Sequence, residues 1–273
     1  MHATARVSVE LDPHGRSIIS ELRSQAPIRL IPRRSKVANP DGSAVVRLVE
    51  SAAAPLGGDR LELRVRVGTG ARLQLIGTGA SLALPGHGGD YSHSTVHIEV
   101  EQDGTIEYLP DETIISERAD HRAETHLHLA AGARARCREI VVLGRHAETP
   151  GRLTTTTHLL RTGTPLLRQR LDLTDPRQLH SPGYLAGAHV LATETIAWDD
   201  DPVEPADGPW WSLTPLAHGA ALATALAADT TTAQQRLTQA ISHHPSAEKL
   251  GHVPVRRSRP DPTDQQPHHY GTR

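Results

Sequence analysis

Along much of this chain apolar and polar residues alternate with a period of two. From Arg60 to Val67, Leu61, Leu63, Val65 and Val67 alternate with Glu62, Arg64 and Arg66. That period places one set of side chains against a core and the other in solvent, and so predicts a half-buried strand. Leu73 and Leu75 repeat the pattern after the turn Gly68-Thr-Gly-Ala71, and Val96, Ile98 and Val100 repeat it before the turn at Asp103-Gly104. Ile106 and Tyr108 lie beyond that turn. Leu127 and Leu129 lead into Ala131-Gly-Ala133, and Glu139 to Leu143 forms a more apolar run. Leu159-Leu160 and Leu167, Leu171 and Leu173 flank Thr162-Gly-Thr-Pro165, which reads as a hairpin.

The turn glycines Gly70, Gly104 and Gly132 recur at intervals of 34 and 28 residues. A strand, a small turn and a second strand repeated at such spacing predict stacked β layers, each burying its face on the next. The fold class expected from this pattern is mainly β, as stacked β layers or a solenoid, with a small C-terminal α-helical part; the family resemblance given below implies β-helix-like stacked sheets. The β-helix-like scaffold is expected over residues 1–200. Asp199 to Pro209 holds four acids in its first six residues and three prolines, a loop or linker.

A helical subdomain is expected over 210–245. Thr214-Pro215 has the form of an N-cap followed by proline in the first turn, and an Ala/Leu run to Ala228 follows. Thr231 with Gln234 fits a capping box for a second helix through Ser242, with Leu237 and Ile241 toward the core. Residues 251–273 are Pro-rich, charged and without periodicity, and predict a disordered tail.

Composition narrows the chemistry. The 273 residues include 29 Lys+Arg, 31 Asp+Glu, 18 His, one Cys, three Trp, four Tyr and no Phe. A net charge of −2 gives no global reason to expect nucleic acid or an acidic membrane as partner. One cysteine, Cys137, excludes an internal disulfide and any zinc site built on several thiolates. No segment approaches the roughly 20 apolar residues of a membrane helix, and Met1-His-Ala-Thr-Ala-Arg6 lacks the apolar stretch of a signal peptide. The expected location is the cytoplasm.

Three constellations are candidates for function. In Leu56-Gly-Gly-Asp59 two glycines permit a sharp turn that presents Asp59 at the mouth of the next strand; the bland alternative is a turn that only organises the chain there. In Glu107-Tyr-Leu-Pro-Asp-Glu112, Pro110 cannot donate to a ladder and ends the strand, leaving Glu107 and Glu112 as separate acids near one strand end. Asp111 and Glu112, being adjacent, point to opposite faces. His126 and His128 share a strand face, as do His93 and His97, and imidazole suits nickel, copper or zinc. Solvated sheet histidines explain the pair equally well. His243-His244 and His268-His269 fall at a helix end and in the tail. There is no phosphate-binding Gly-x-x-x-x-Gly-Lys loop, no dinucleotide fingerprint and no Gly-x-Ser-x-Gly elbow. Cys137 stands among arginines in Arg134-Ala-Arg-Cys-Arg138, either activated by them or simply buried.

Taken together, several segments resemble the UreD (UreH) family of urease accessory proteins. They are Gly57-Gly-Asp-Arg-Leu61, Thr78-Gly-Ala-Ser-Leu-Ala-Leu-Pro-Gly86, Ile106-Glu-Tyr-Leu-Pro-Asp-Glu-Thr-Ile114, Ala131-Gly-Ala133, Arg138-Glu-Ile-Val-Val-Leu-Gly-Arg145 and Gly163-Thr-Pro-Leu166. Their order holds from Pro27 to Leu173 and more loosely through Ser181-Pro182 to the C-terminal region. The resemblance implies a non-catalytic scaffold that works with UreF and the GTPase UreG on apo-urease. It also implies an internal passage for nickel, with nickel in transit and no tightly bound cofactor. It makes Asp59, Glu112 and Glu139 passage candidates. The C-terminal helices and a nearby sheet edge are further expected to bind UreF. The chain departs from the family pattern at Asp111, where Gln is usual, and at His87-Gly-Gly-Asp90, where many members carry an aromatic and basic loop. Two other classes compete: a β-solenoid polysaccharide-active enzyme, which would want many aromatics to stack sugars, and a cupin-like metalloenzyme built on His126 and His128.

Overall fold

The computed structural model describes residues 1–33, 39, 41–199 and 201–250. In chain order its first strands are β1 (His2–Leu11), β2 (Ser17–Arg23), β3 (Ile28–Pro32), β4 (Ala44–Glu50), β5 (Arg60–Val67), β6 (Arg72–Gly77), β7 (Ser81–Ala83), β8 (Ser92–Val100) and β9 (Thr105–Leu109). Then come β10 (Thr113–Ile115), β11 (Asp120–Leu129), β12 (Arg134–Leu143), β13 (Arg152–Arg161) and β14 (Thr164–Leu173). The short helix α1 (Pro176–Leu179) precedes β15 (Val190–Ala197), β16 (Ala206–Gly208), β17 (Trp211–Pro215) and β18 (Ala220–Ala227), and α2 (Thr230–Ile241) follows them. The tail expected over 251–273 lies outside the described residues.

Among the described residues the strands make two sheets. A seven-stranded sheet has the order β14-β13-β11-β8-β5-β1-β2. An eleven-stranded sheet runs β16-β17-β18-β15-β12-β9-β6-β4-β3, with β10 joined to β12 and β7 to β10. The chain passes from one sheet to the other and back, so β5, β8, β11 and β13 stack in parallel, and so do β4, β6, β9 and β12. These are stacked coils resembling a β-solenoid, as the turn spacing predicts. The turns stack too: Gly70 N–H donates to Gln102 O at 2.9 Å, and Asp103 N–H to Ala131 O at 3.1 Å.

The inward positions of the alternating strands fill the space between the sheets. Leu63, Leu73, Ile98, Ile106 and Leu127 belong to one apolar cluster on the side of the stacked turns. Ala83, Ile115, Val141, Leu143 and Leu153 form another at the far end of the coils. A third cluster joins Ile140 and Ile196 to Trp211, Leu237 and Ile241, so α2 covers part of the eleven-stranded sheet. Leu237 and Ile241 thus face the core as their spacing predicts, although the cap is Asp229, whose carboxylate accepts from Thr232 N–H at 2.8 Å.

The expected helix from Thr214 is not formed. Residues 211–215 and 220–227 are β17 and β18, paired antiparallel and continuing the eleven-stranded sheet through β15. Pro215 closes a strand instead of opening a helix. His218 and Gly219 take positive φ (53° and 67°), and Leu216 N–H donates to Ala220 O across the turn. Alanine has the highest intrinsic helix propensity, but its small side chain also suits a central strand covered on both faces, and tertiary packing decides. The helical part of the C-terminal region is therefore α2.

Candidate functional site

The eleven-stranded sheet is interrupted at the same level in successive coils. β12 pairs with β9 through Arg134 to Cys137 and with β10 from Val141 to Leu143. Arg138, Glu139 and Ile140 lie outside both ladders, while their opposite side pairs continuously with β15. One coil earlier, residues 78–80 part β6 from β7 in the same way. The local causes are legible. Pro110 lacks the N–H needed to continue β9, and Gly77 lets two backbones approach so closely that a Cβ there would lie 2.3 Å from Asp111 N.

At this interruption, and extending between the sheets, is a cavity of about 150 Å³ lined in part by Glu50, Ser81, Tyr108, Asp111, His121 and Glu139. The inward faces of the opposing strands turn polar at the same level. Ser94, Thr125 and Thr155 occupy positions in phase with the buried Ile98, Leu127 and Leu159. Thr155 on β13 donates its hydroxyl to Glu139 Oε2 on β12 at 3.0 Å, joining the two sheets.

Burial sets the electrostatics. It pushes the Glu139 carboxyl above the ordinary range, opposed by the Thr155 hydroxyl. It pushes Glu50 up as well, opposed by a short hydrogen bond from Ser81 Oγ. The Tyr108 phenol and the Cys137 thiol are raised by burial and by neighbouring carboxylates, so Cys137 is an inert buried thiol among arginines. His121, only 3 % exposed, is lowered to about 4, chiefly by burial and then by His93, and its Nδ1 pairs with Ser92 Oγ at 2.9 Å. The cavity thus offers oxygen ligands whose protons are held by desolvation, together with a neutral imidazole. A cation entering it can displace those protons and be released by their return.

Of the three acids singled out from the sequence, Glu139 lines this cavity. Asp59 is 4 % exposed and already engaged: Oδ1 accepts from the Met1 ammonium at 2.8 Å and Oδ2 from Leu56 N–H at 2.9 Å. It organises its turn, which packs so tightly that a Cβ on Gly57 would lie 2.5 Å from Gly86 N. Glu112 lies between β9 and β10, and its carbonyl accepts from Ser81 N–H at 2.9 Å, while its neighbour Asp111 lines the cavity. Glu50, Ser81, His121 and Thr155 were not singled out from the sequence. The available signal was polar residues at inward positions of otherwise apolar strands, above all in Thr154-Thr-Thr-Thr157.

His126 and His128 lie on the opposite, outer face of the seven-stranded sheet. His126 stacks with His97 at 4.9 Å between centroids and meets His158 edge-on at 5.1 Å. His128 stands beside Glu99 in the register. Among the described residues no three His, Cys, Asp or Glu side chains are arranged around a metal position.

The other concentration of charge is on the outer face of the eleven-stranded sheet. Glu194, fully buried, accepts a short bond from Arg136 Nε and one from Arg138 Nε at 2.9 Å. Arg136 also donates to Leu250 O at 2.7 Å and reaches Glu107, which Gln74 holds at 2.9 Å. Asp199, from the predicted linker, binds Arg134, Lys249 and Ser246, which bring its pKa down to about 2. These contacts fasten the chain after α2 to the sheet.

The fold and cavity define a β-solenoid-like protein whose polar chemistry lies between its sheets. No helix among the described residues is long and apolar enough to cross a membrane. A family model described as UreD urease accessory protein matches residues 1–260. The chain is 59% identical over 250 residues to urease accessory protein UreD 1 of Saccharopolyspora erythraea, covering 92% of this chain and 98% of the relative. It is 36% identical over 265 residues to UreD of a Parafrankia species, covering 87% and 86%. It is 33% identical over 257 residues to UreD 2 of Saccharopolyspora erythraea, covering 88% and 87%. The chain belongs to the UreD family of urease accessory proteins.

Proposed function

We propose that this protein is a non-catalytic, cytoplasmic chaperone of urease maturation that scaffolds UreF and the GTPase UreG on apo-urease and passes nickel inward through its own interior. The observation that carries this reading is the Glu139 carboxylate, set in a cavity between the sheets beside a break in one of them. A conduit must bind its ion weakly enough to release it, and several oxygen ligands with raised proton affinity suit that better than a closed thiolate site. Glu139, with Glu50 and Asp111, would meet the ion directly. Asp59 and Glu112 would act on the walls, Asp59 by fixing its turn and Glu112 by tying its segment to Ser81 of β7 through its carbonyl. The ion is cargo, and no tightly bound cofactor belongs to this reading.

A sugar-cleaving enzyme is disfavoured by the few aromatics, three Trp and four Tyr, available to stack sugars. A cupin-like centre on His126 and His128 is disfavoured because both lie outside the interior. The test is co-expression with UreF, UreG and apo-urease, comparing Glu139→Ala and Glu50→Ala with the unaltered chain. The expected result is a complex that still assembles on urease carrying severalfold less nickel. Normal nickel content with either variant in an intact complex overturns the route.

A further inference from the structure

Arg60 on β5 and Arg122 on β11 flank β8 on the outer face of the seven-stranded sheet, both in register with His93. Their guanidinium groups converge on one ring, that of Tyr91 just before β8. The Arg122 Cζ lies 3.6 Å from the ring centroid and the Arg60 Cζ 4.6 Å, and Arg60 Nη2 donates to the Tyr91 hydroxyl at 3.0 Å. Arg60, and after it Arg122, hold the phenol below its ordinary range against the opposing charge of Asp120. Among the described residues neither guanidinium has an acid within ion-pair distance. On the same face Arg64 pairs with Glu62, Arg66 with Glu10 and Glu101, and Arg152 with Asp120.

The Leu56-Gly-Gly-Asp59 turn holds this cluster in place. Gly58 N–H donates to Tyr91 O at 3.1 Å, and His93 N–H donates to Asp59 O at 2.8 Å. Gly57 presses on the neighbouring loop so closely that a Cβ there would lie 2.4 Å from Asp90 O. Asp59, whose carboxylate is spent inside its own turn, therefore fixes the backbone that carries both Arg60 and Tyr91. We propose that Arg60, Tyr91 and Arg122 form a docking site for an acidic segment of a partner protein, whose carboxylates pair with the two guanidinium groups beside the Tyr91 ring.

Charge complementarity selects the occupant. A guanidinium lying on an aromatic face keeps its planar fork free at the edge, where a carboxylate is accepted bidentately. Two positive groups gathered on one ring repel each other, and a partner's carboxylates relieve that repulsion. The span favours a chain over a single ion. β5 and β11 are two strand spacings apart, about 10 Å, and alternate side chains of an extended segment stand about 7 Å apart on one face. Leu56, 40% exposed in the same turn, adds an apolar contact that a peptide can use and a bare anion cannot. Tyr and Arg dominate binding energy at protein interfaces, and a cluster already held by its turn costs little to order. The cluster is on the sheet opposite the interruption, so the proposal holds whether or not the interior carries nickel.

The test is fluorescence anisotropy of a labelled hexaglutamate peptide titrated with the full-length protein in about 50 mM salt, where surface charges are little screened. The comparison is Arg60→Gln/Arg122→Gln against Arg168→Gln/Arg170→Gln, which removes the same charge from exposed positions of β14 on the same sheet. The expected result is one saturable binding event in the unaltered chain, retained in the β14 variant and weakened about tenfold in the Arg60/Arg122 variant. Thermal unfolding is unchanged in both, because all four side chains are exposed. Arg122→Gln alone, which alters a side chain bonded to no other residue, gives an intermediate loss. Equal weakening by the two double variants reduces the effect to net charge and overturns the proposal. So does the absence of binding by the unaltered chain. Full displacement of the peptide by inorganic phosphate at equal charge also overturns it, in favour of a small-anion site.

Discussion

Thr155 and Glu139 stand on different sheets, and the hydroxyl of the first donates to the carboxylate of the second at 3.0 Å across the interior. The pair occupies the polar level that separates the two apolar clusters, where the fold gives up hydrophobic burial in exchange for a lined cavity. It also sets the sign of a pH effect. The folded-state pKa of Glu139 is raised, so the native protein holds this proton more tightly than the unfolded chain does. That contribution is present below the ordinary carboxyl range and is lost as pH rises through the folded value. Glu139→Gln keeps an acceptor for Thr155 and removes the buried charge. Its stability in urea at pH 7.5 should equal or exceed that of the unaltered protein by about 1 kcal/mol. A loss of stability there would contradict the desolvation account.

His121 acts in the acid range. Its folded-state pKa, lowered to about 4, means that the native ring stays neutral where the unfolded ring takes up a proton. The unfolded chain therefore binds more protons between about pH 6.5 and 4, and stability falls as pH drops through that window. His121→Leu removes the titrating group and leaves Ser92 a carbonyl acceptor at Asp120. Denaturation midpoints measured from pH 7 to 4 should fall less steeply in the variant, by up to about 3 kcal/mol across the window. Parallel profiles for the two proteins would show that His121 is not the group responsible.

Glu194 pairs with two guanidinium groups at once, from Arg136 and Arg138, with its side chain fully buried. Glu194→Ala leaves that positive charge in a poorly solvated sheet face, and breaking a buried pair in this way costs about 3–5 kcal/mol. Chemical denaturation should show a loss of that order. A loss below about 1 kcal/mol would mean that Glu107 and the Leu250 carbonyl suffice for Arg136.

Gly77 is required for space, since the added Cβ would meet Asp111 N at 2.3 Å. Gly77→Ala must push the end of β6 away from the segment between β9 and β10, both of which line the cavity. Amide exchange at Asp111 and Thr113 should accelerate in the variant, with a stability loss of about 2 kcal/mol. Unchanged exchange at those amides would place the interruption's rigidity elsewhere.

Removal of the chain from Trp211 onward should abolish folding. β17 and β18 are members of the eleven-stranded sheet, and α2 completes its covering. Circular dichroism of the truncated chain checks this; a cooperative native-like melt would show that the solenoid coils are self-sufficient.

Much of this architecture is written in the sequence. Alternation from Leu61 to Val67 and from Val96 to Val100 needs only period-two geometry and a core to face, so strands and stacked turns follow from local pattern. Pro110 marks its strand end because a missing N–H is a local fact, and Leu237 and Ile241 locate the buried face of α2. What local pattern does not carry is the choice made by tertiary packing. The Ala/Leu run after Pro215 has helical propensity, yet it becomes β18 because β15 and β17 supply partners for its backbone. Asp59 satisfies its own turn and the Met1 ammonium, while Glu50, distant in sequence, joins Glu139 at the cavity because β4 and β12 belong to the same sheet. His97, His126 and His158 meet only because three strands, each about 30 residues from the next, stack in register. Periodicity fixes which face a side chain takes within its own strand; which other side chains it meets there is decided by long-range register.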